Sequence, residues 1–230
     1  MPNEILARLQ EGRKPNPNSP KKMIFFVGPP ACGKTTKIRV LEKNFGNYYQ
    51  YITLDGLSPI LDNNNKFFRS LNKLLTLSEK IKIAVQTALK THQNTIFVDG
   101  HPILSIFECE AIFRLSNGRD ISANQLTIIQ EIYKEIVYEI NNSKNFRDFQ
   151  QIIYYINFPF EENLRLLQKK EFCNFITEDI KNELSVFRKV IHSNIFKLSE
   201  QFQNLQVIEV NTIISLNIIH MYLLGGSGCC

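Results

Sequence analysis

Five short apolar runs alternate along the chain with segments whose apolar residues recur at three- and four-residue steps. Met23, Ile24, Phe25, Phe26 and Val27 show no polar alternation and predict a strand buried on both faces. Ile38, Val40, Leu41 and Phe45 predict a helix that stops at Gly46-Asn47, and YYQYITL over 48–54 predicts a second strand closed by Asp55-Gly56. From Asn63 to about Lys90 the spacing is again helical, with a break expected near Thr76 to Ser78. TIFV over 95–98 is a third strand that runs into Asp99-Gly100-His101-Pro102. A long helical region from about Ile103 to Ile140 is interrupted near Ser116-Asn117-Gly118, and polar residues 141–148 form a connection. QIIYYI over 151–156 is a fourth strand, followed by a helix from Glu161 to Lys170, a charged, turn-prone segment from Lys169 to Asp179, and a helix to about Phe202. QVIEV over 206–210 is the fifth strand, and 212–224 a last helix. Strands alternating with helices predict an α/β fold: a five-stranded parallel sheet, doubly wound, in three α/β/α layers.

The stretch between the first strand and its helix carries the clearest chemistry. Gly28 to Thr35, GPPACGKT, matches G-x-x-x-x-G-K-[ST] in full, between a buried strand and a helix, and so reads as a P-loop. Gly28 and Gly33 free the backbone so that the loop Gly28-Pro29-Pro30-Ala31-Cys32-Gly33-Lys34-Thr35-Thr36, with the N–H groups of its non-proline residues and the helix start, can surround an anion. Lys34 is expected to reach the outer phosphates and the Thr35 hydroxyl to bind magnesium. Ligands of doubly wound sheets lie beyond the carboxyl ends of the strands, where Asp55 and Asp99 also stand. Asp99 is placed like an acid that holds magnesium, and Asp55 like a base for an acceptor hydroxyl. Each also reads as an ordinary turn or N-cap acid, the usual meaning of Asp-Gly.

Composition narrows this picture rather than redirecting it. With 230 residues, 43% hydrophobic and 21% charged, the chain suits one sizeable soluble domain, spanning 22–224 after an arm and linker over 1–21. The net charge of +5 is dispersed, which fits a phosphate-handling cleft and argues against nucleic acid as a partner. No apolar run approaches a membrane span and the start lacks a secretory pattern. Cys32, Cys109 and Cys173 have no metal-ligand spacing, so a reducing cytoplasm is expected.

Taken together, the motifs resemble the nucleoside and nucleotide kinases of the P-loop class, especially the deoxynucleoside kinase and thymidylate kinase branch, over roughly residues 22–210. GPPACGKT matches that family's P-loop, Leu54-Asp55-Gly56 its acid after strand two, and Val98 to Pro102 its motif after strand three. YYINFPFEENLRLLQKKEF over 154–172 resembles the strand, arginine-bearing helix and lid, with Arg165 in the helix arginine position and the lid over about 168–180. The resemblance implies an enzyme that moves the γ-phosphate of ATP, with Mg2+, to a nucleoside-like hydroxyl; the alternatives are a nucleoside monophosphate kinase or a nucleotide-binding switch. It implies catalytic roles for Lys34, Asp55, Asp99 and Arg165 and donor contacts from Lys169 and Lys170. Two departures stand out: Gly100 replaces the family's arginine after the acid, and Lys169 and Lys170 stand where lid arginines are usual. Lysine is a point charge without arginine's bidentate fork, so the phosphoryl contact falls to Arg165 or Arg188.

Other positions read more plainly. His101 is a turn residue or a substrate contact; Cys32 fills a small-residue position or acts as a redox switch, the first being the better reading; Tyr48, Tyr49, Tyr51, Phe67 and Phe68 pack a core or stack a base. Arg114 and Arg119, flanking the Gly118 break, read as solvated surface or as contacts to a substrate phosphate. The helices between 103 and 140 could cover the sheet or join a homodimer. The GGSGCC ending, 225–230, reads as an engineered thiol handle; it also resembles the doubly lipidated tail of Rab-type GTPases, which would attach Cys229 and Cys230 to a membrane. The body carries no Asn-Lys-x-Asp guanine-reading segment.

Overall fold

The computed structural model of the chain describes residues 20–45, 49–53, 65–171, 177–201 and 204–210. The arm over 1–19, Asp55, Tyr48, the last expected helix and the Gly-Ser-Cys tail lie outside them. Among the described residues the five predicted strands are present: β1 Lys21–Val27, β2 Gln50–Ile52, β3 Thr95–Asp99, β4 Phe149–Ile156 and β5 Leu205–Val210. They form one sheet in the order β2-β3-β1-β4-β5, and every pairing is parallel.

β1 lies at the centre of this sheet because it is apolar on both sides. Met23, Phe25 and Val27 enter a core with α2 (Lys66–Thr91), α3 (Ile103–Ser116), α4 (Ala123–Asn142) and α7 (Glu178–Ile195). Ile24 and Phe26 face a second core with α1 (Lys34–Phe45) and the partly buried Leu166 of α6 (Phe160–Glu171). Alternation with a period of two thus makes a three-layer molecule. In the second core four rings step across four strands: Tyr51 on Phe97 at 5.5 Å, Phe97 on Phe26 at 6.2 Å, and Phe26 on Tyr154 at 6.1 Å between centroids. Each pair contributes about 0.5–1.5 kcal/mol beyond the area it buries. Tyr49 stands edge-on to Phe97. Tyr49 is therefore a buried packing residue, and Tyr51 packs one face of its ring on Phe97.

The helices begin and end where their caps dictate. Asn65 accepts from the Phe68 N–H to start α2, and Ser122 with Gln125 forms a complete capping box for α4. Between α3 and α4, Asn117 takes a left-handed conformation and the Gly118 N–H bonds the Phe113 carbonyl. α2 runs unbroken through Thr76 and Ser78, contrary to the expected break. The Ser78 hydroxyl donates to the Leu74 carbonyl at 2.7 Å, so a buried polar group is satisfied without leaving the helix. The 141–148 connection contains a short helix, α5 Lys144–Arg147, whose Phe146 is buried, and α8 is Lys197–Gln201. On α4, Ile129 and Tyr133 are buried in the chain's own core with Ile136 and Ile140 packed against it, which accounts for that helix's amphipathic pattern. None of the helices among the described residues is long and apolar enough to cross a membrane.

Candidate functional site

The strand order decides what meets at the phosphate loop. β1 has β3 on one side and β4 on the other, with Phe26 in register with Asp99 and with Tyr154. The start of α1 therefore lies against the exit of β3, and the Thr35 hydroxyl is hydrogen-bonded to the Asp99 carboxylate. Asp99 is 5% exposed. A hydroxyl and a carboxylate side by side are hard oxygen donors of the kind magnesium takes, and magnesium ordinarily completes its shell with water and phosphate oxygens. No cluster of three or more candidate metal-ligating side chains occurs among the described residues. Among the described residues β2 pairs with β3 alone, which sets its exit two strands away from β1.

Within the loop the two glycines do different work. Gly33 has φ +87, the left-handed freedom expected of it. Gly28 needs no such freedom: a Cβ there would lie 2.9 Å from the Ile156 carbonyl and 3.1 Å from the Cys32 sulfur, so close approach to the end of β4 is what demands glycine. The second left-handed residue of the loop is Ala31, with φ +58, a conformation that costs an L side chain energy. Lys34 Nζ donates to the carbonyls of Gly28 at 3.0 Å and Pro29 at 2.7 Å and stands 3.5 Å from the Cys32 sulfur. Cys32 is fully buried among apolar neighbours, in the small-residue role expected. Thr36 is exposed.

The loop after β3 explains the departure at Gly100. Its φ is +92, and its N–H bonds back to the Phe26 carbonyl at 2.9 Å. An arginine there would be strained. The turn directs His101 inward, where it is 7% exposed, edge-on to Phe25 at 4.6 Å, and accepts the Ile103 N–H on Nδ1 at 3.2 Å. Burial pushes its pKa down to about 3, so the ring is neutral and the second nitrogen carries the proton. His101 is thus a turn residue that also caps α3.

From Lys34 and Asp99 a cavity of about 370 Å³ extends between α2, α3 and α7. Leu104, Ile112, Leu184 and Phe187 make most of its wall apolar, and Gly100 and His101 border it. One polar patch interrupts it: Glu108 of α3 takes Lys73 at 2.9 Å and Arg69 at 3.1 Å, both from α2. The sequence reading missed this trio. Arg69 and Lys73 have i,i+4 spacing, a visible signal, but nothing local joins them to Glu108. Asn163 of α6 was missed too: it is fully buried and donates through Nδ2 to the Pro30 carbonyl.

Among the described residues of the predicted lid, Ile180 lines this cavity and Lys169 does not. Arg165 sits on an exposed part of α6, held by Glu162 through Nε at 2.8 Å and through Nη2. That pairing lowers the pKa of Glu162 and raises that of Arg165. Lys169 is exposed. The side chain of Lys170 and residues 172–176 of the predicted lid lie outside the described residues. Arg188 of α7 stands over the Phe160 ring at 5.7 Å, with Nη1 buried and no partner for that atom among the described residues. It also lies near the exit of β4: the Tyr155 phenol is pushed up mainly by burial, pulled down by Arg188, and pushed up by Glu209 and Cys32. Arg114 pairs with Glu110 and Arg119 with the Ser116 carbonyl, both on the surface as expected.

No protein-family model matches this sequence, and no curated protein matches it either. Among solved structures, a deoxyadenosine kinase from M. mycoides with the products dCMP and a flexible dCDP bound has a TM-score of 0.55 at 14% identity, over 87% of this chain and 98% of that one. The same kinase with bound dATP gives 0.55 at 14% identity, and with bound dCTP 0.51 at 15%, over the same shares. At that identity the likeness speaks for architecture alone: the chain shares the α/β fold of that kinase, a parallel five-stranded sheet between helical layers.

Proposed function

We propose that the protein is an ATP- and magnesium-dependent phosphotransferase that moves the γ-phosphate to the hydroxyl of a deoxynucleoside-like acceptor. The observation that carries this reading is the cavity itself: about 370 Å³ of mostly apolar space joining the Lys34–Asp99 corner to the Glu108 patch. That volume suits a small molecule held by an apolar wall and a few oriented polar groups. The M. mycoides kinase of the same fold binds dATP, dCTP, dCMP and dCDP, which supports nucleotide chemistry here.

In this reading the loop from Gly28 to Thr36 cradles the phosphates, and Lys34 leaves the Gly28 and Pro29 carbonyls for the outer phosphate oxygens. Magnesium bound at Thr35 and Asp99 would neutralise charge on the β and γ oxygens. The acceptor oxygen attacks the γ-phosphorus, the bond to the β–γ bridging oxygen breaks, ADP leaves, and the acceptor proton passes to Asp55. Arg188, with a buried nitrogen that has no partner among the described residues, is the better candidate for the transferring phosphoryl group; Arg165 would first have to leave Glu162, and Lys169 and Lys170 contribute as lid charges.

A nucleoside monophosphate as acceptor fits less well. Both cations of the far wall, Arg69 and Lys73, are held by Glu108, whereas a phosphate clamp needs arginines free to bind it. Asp55→Asn tests the hydroxyl acceptor: kcat should fall about 10²–10⁴-fold, the usual worth of a general base, with ATP affinity unchanged. A kcat equal to wild type would remove Asp55 from the mechanism.

A further inference from the structure

Two features of the phosphate loop make one of its peptides unusually dependent on outside support. Pro29 and Pro30 follow Gly28 directly, and proline has no backbone N–H. The Ala31 N–H is therefore the first donor the loop offers after Gly28. Ala31 also has φ +58, a conformation that an alanine keeps only where its surroundings hold it.

The support comes from α6, more than a hundred residues later. Asn163 donates through Nδ2 to the Pro30 carbonyl. Only the amide nitrogen can face a carbonyl, so the orientation of the carboxamide is fixed by chemistry. In a trans peptide the carbonyl and the following N–H point in opposite directions. Tying the Pro30 oxygen to α6 therefore turns the Ala31 N–H away from α6, toward the side of the loop on which an anion would sit.

Asn163 is not there for packing. It is fully buried, yet its Oδ1 finds no partner among the described residues. A buried oxygen without a donor lowers stability, and an apolar residue of similar size would avoid that penalty. We propose that Asn163 is a positioning residue of the phosphate loop, holding the Pro30–Ala31 peptide so that the Ala31 N–H donates to a phosphate of the donor nucleotide. This rests on the nucleotide-binding reading above and adds to it the residue that shapes the cradle.

The test separates positioning from packing by setting affinity against stability, with Mg·ATP as the calorimetric probe and thermal melting on the same samples. Asn163→Leu should melt at or above the wild-type temperature while its dissociation constant for Mg·ATP rises about tenfold to a hundredfold, the worth of one hydrogen bond to a charged group. Asn163→Asp should bind Mg·ATP weakly at pH 8, where a carboxylate opposes the Pro30 carbonyl. It should recover relative to wild type as the pH falls and the protonated acid can donate. Wild-type affinity in Asn163→Leu would overturn the proposal. So would a loss of affinity accompanied by a matching drop in melting temperature and no acid recovery in Asn163→Asp. If wild type itself failed to bind Mg·ATP, the nucleotide-binding reading would fall instead, which the calorimetry reads separately.

Discussion

The two ends of the cavity are built in opposite ways. At the phosphate end almost everything comes from one run of eight residues, whose backbone bends through Ala31 and Gly33 and whose single long side chain, Lys34, folds over its own carbonyls. At the far end Arg69 and Lys73 from α2, Glu108 from α3, and Leu184 and Phe187 from α7 meet only because three helices pack on one face of the sheet. The first end is a local device that can be carried intact to many chemistries. The second depends on long-range packing of three helices, and under the proposed function it is where selectivity for the acceptor would reside.

That contrast can be broken experimentally, beginning with the phosphate end. Lys34→Ala should lower kcat by about 10²–10³-fold or more, because it removes a preorganised charge at the transferring phosphate, with melting unchanged; steady-state turnover with Mg·ATP reads it. Asp99→Asn should follow closely and raise the magnesium concentration needed for half-maximal rate, since a neutral amide replaces the carboxylate beside Thr35. Changes at the other end should redistribute activity rather than abolish it. Glu108→Gln frees Lys73 and Arg69 and should alter the ratio of kcat/KM between deoxynucleosides by about tenfold to a hundredfold, while KM for ATP stays constant. A uniform loss over all acceptors would mean that the trio is only a brace between α2 and α3.

Smaller effects concern the turn joining the two ends. Gly100→Ala, at φ +92, should cost about 1–2 kcal/mol in denaturant unfolding. His101 makes the protein acid-sensitive in a calculable direction. Its folded pKa is about 3 against an ordinary value near 6.5, so below about pH 6.5 the unfolded chain binds a proton that the folded one refuses. Stability from this group is complete above that pH and declines as the pH falls toward 3, by at most about 1.4 kcal/mol per pH unit. His101→Leu should flatten that part of the profile, as measured by melting between pH 4 and 7.

What the chain disclosed in advance follows the same division. β1, β3 and β4 were legible because they carry uninterrupted apolar runs, and the phosphate loop because its residues are contiguous. Asp99 could be assigned a place because a strand exit is a local feature. The sheet order was not legible, and with it went the knowledge that β4 would lie beside β1 and bring α6 close to the loop. Gly28 and Gly33 carry the same letter for different reasons, one steric and one conformational. Gly100 looked like a lost arginine until its backbone showed that only glycine fits the turn cheaply. Glu108 and Asn163 are ordinary helical residues in sequence, and what sets them apart is a partner dozens to more than a hundred residues away.

Transfer of phosphate from the loop to a small acceptor in the cavity is tested most directly through its products. The most direct measurement incubates the purified protein with Mg·ATP and a panel of deoxynucleosides and quantifies ADP and phosphorylated nucleoside together. Equal amounts of ADP and a deoxynucleoside 5′-monophosphate are expected for at least one member of the panel, with both products formed about 10²–10³-fold or more slowly by Lys34→Ala. ADP formed at the same rate with and without every acceptor, and no phosphorylated nucleoside, would contradict that transfer.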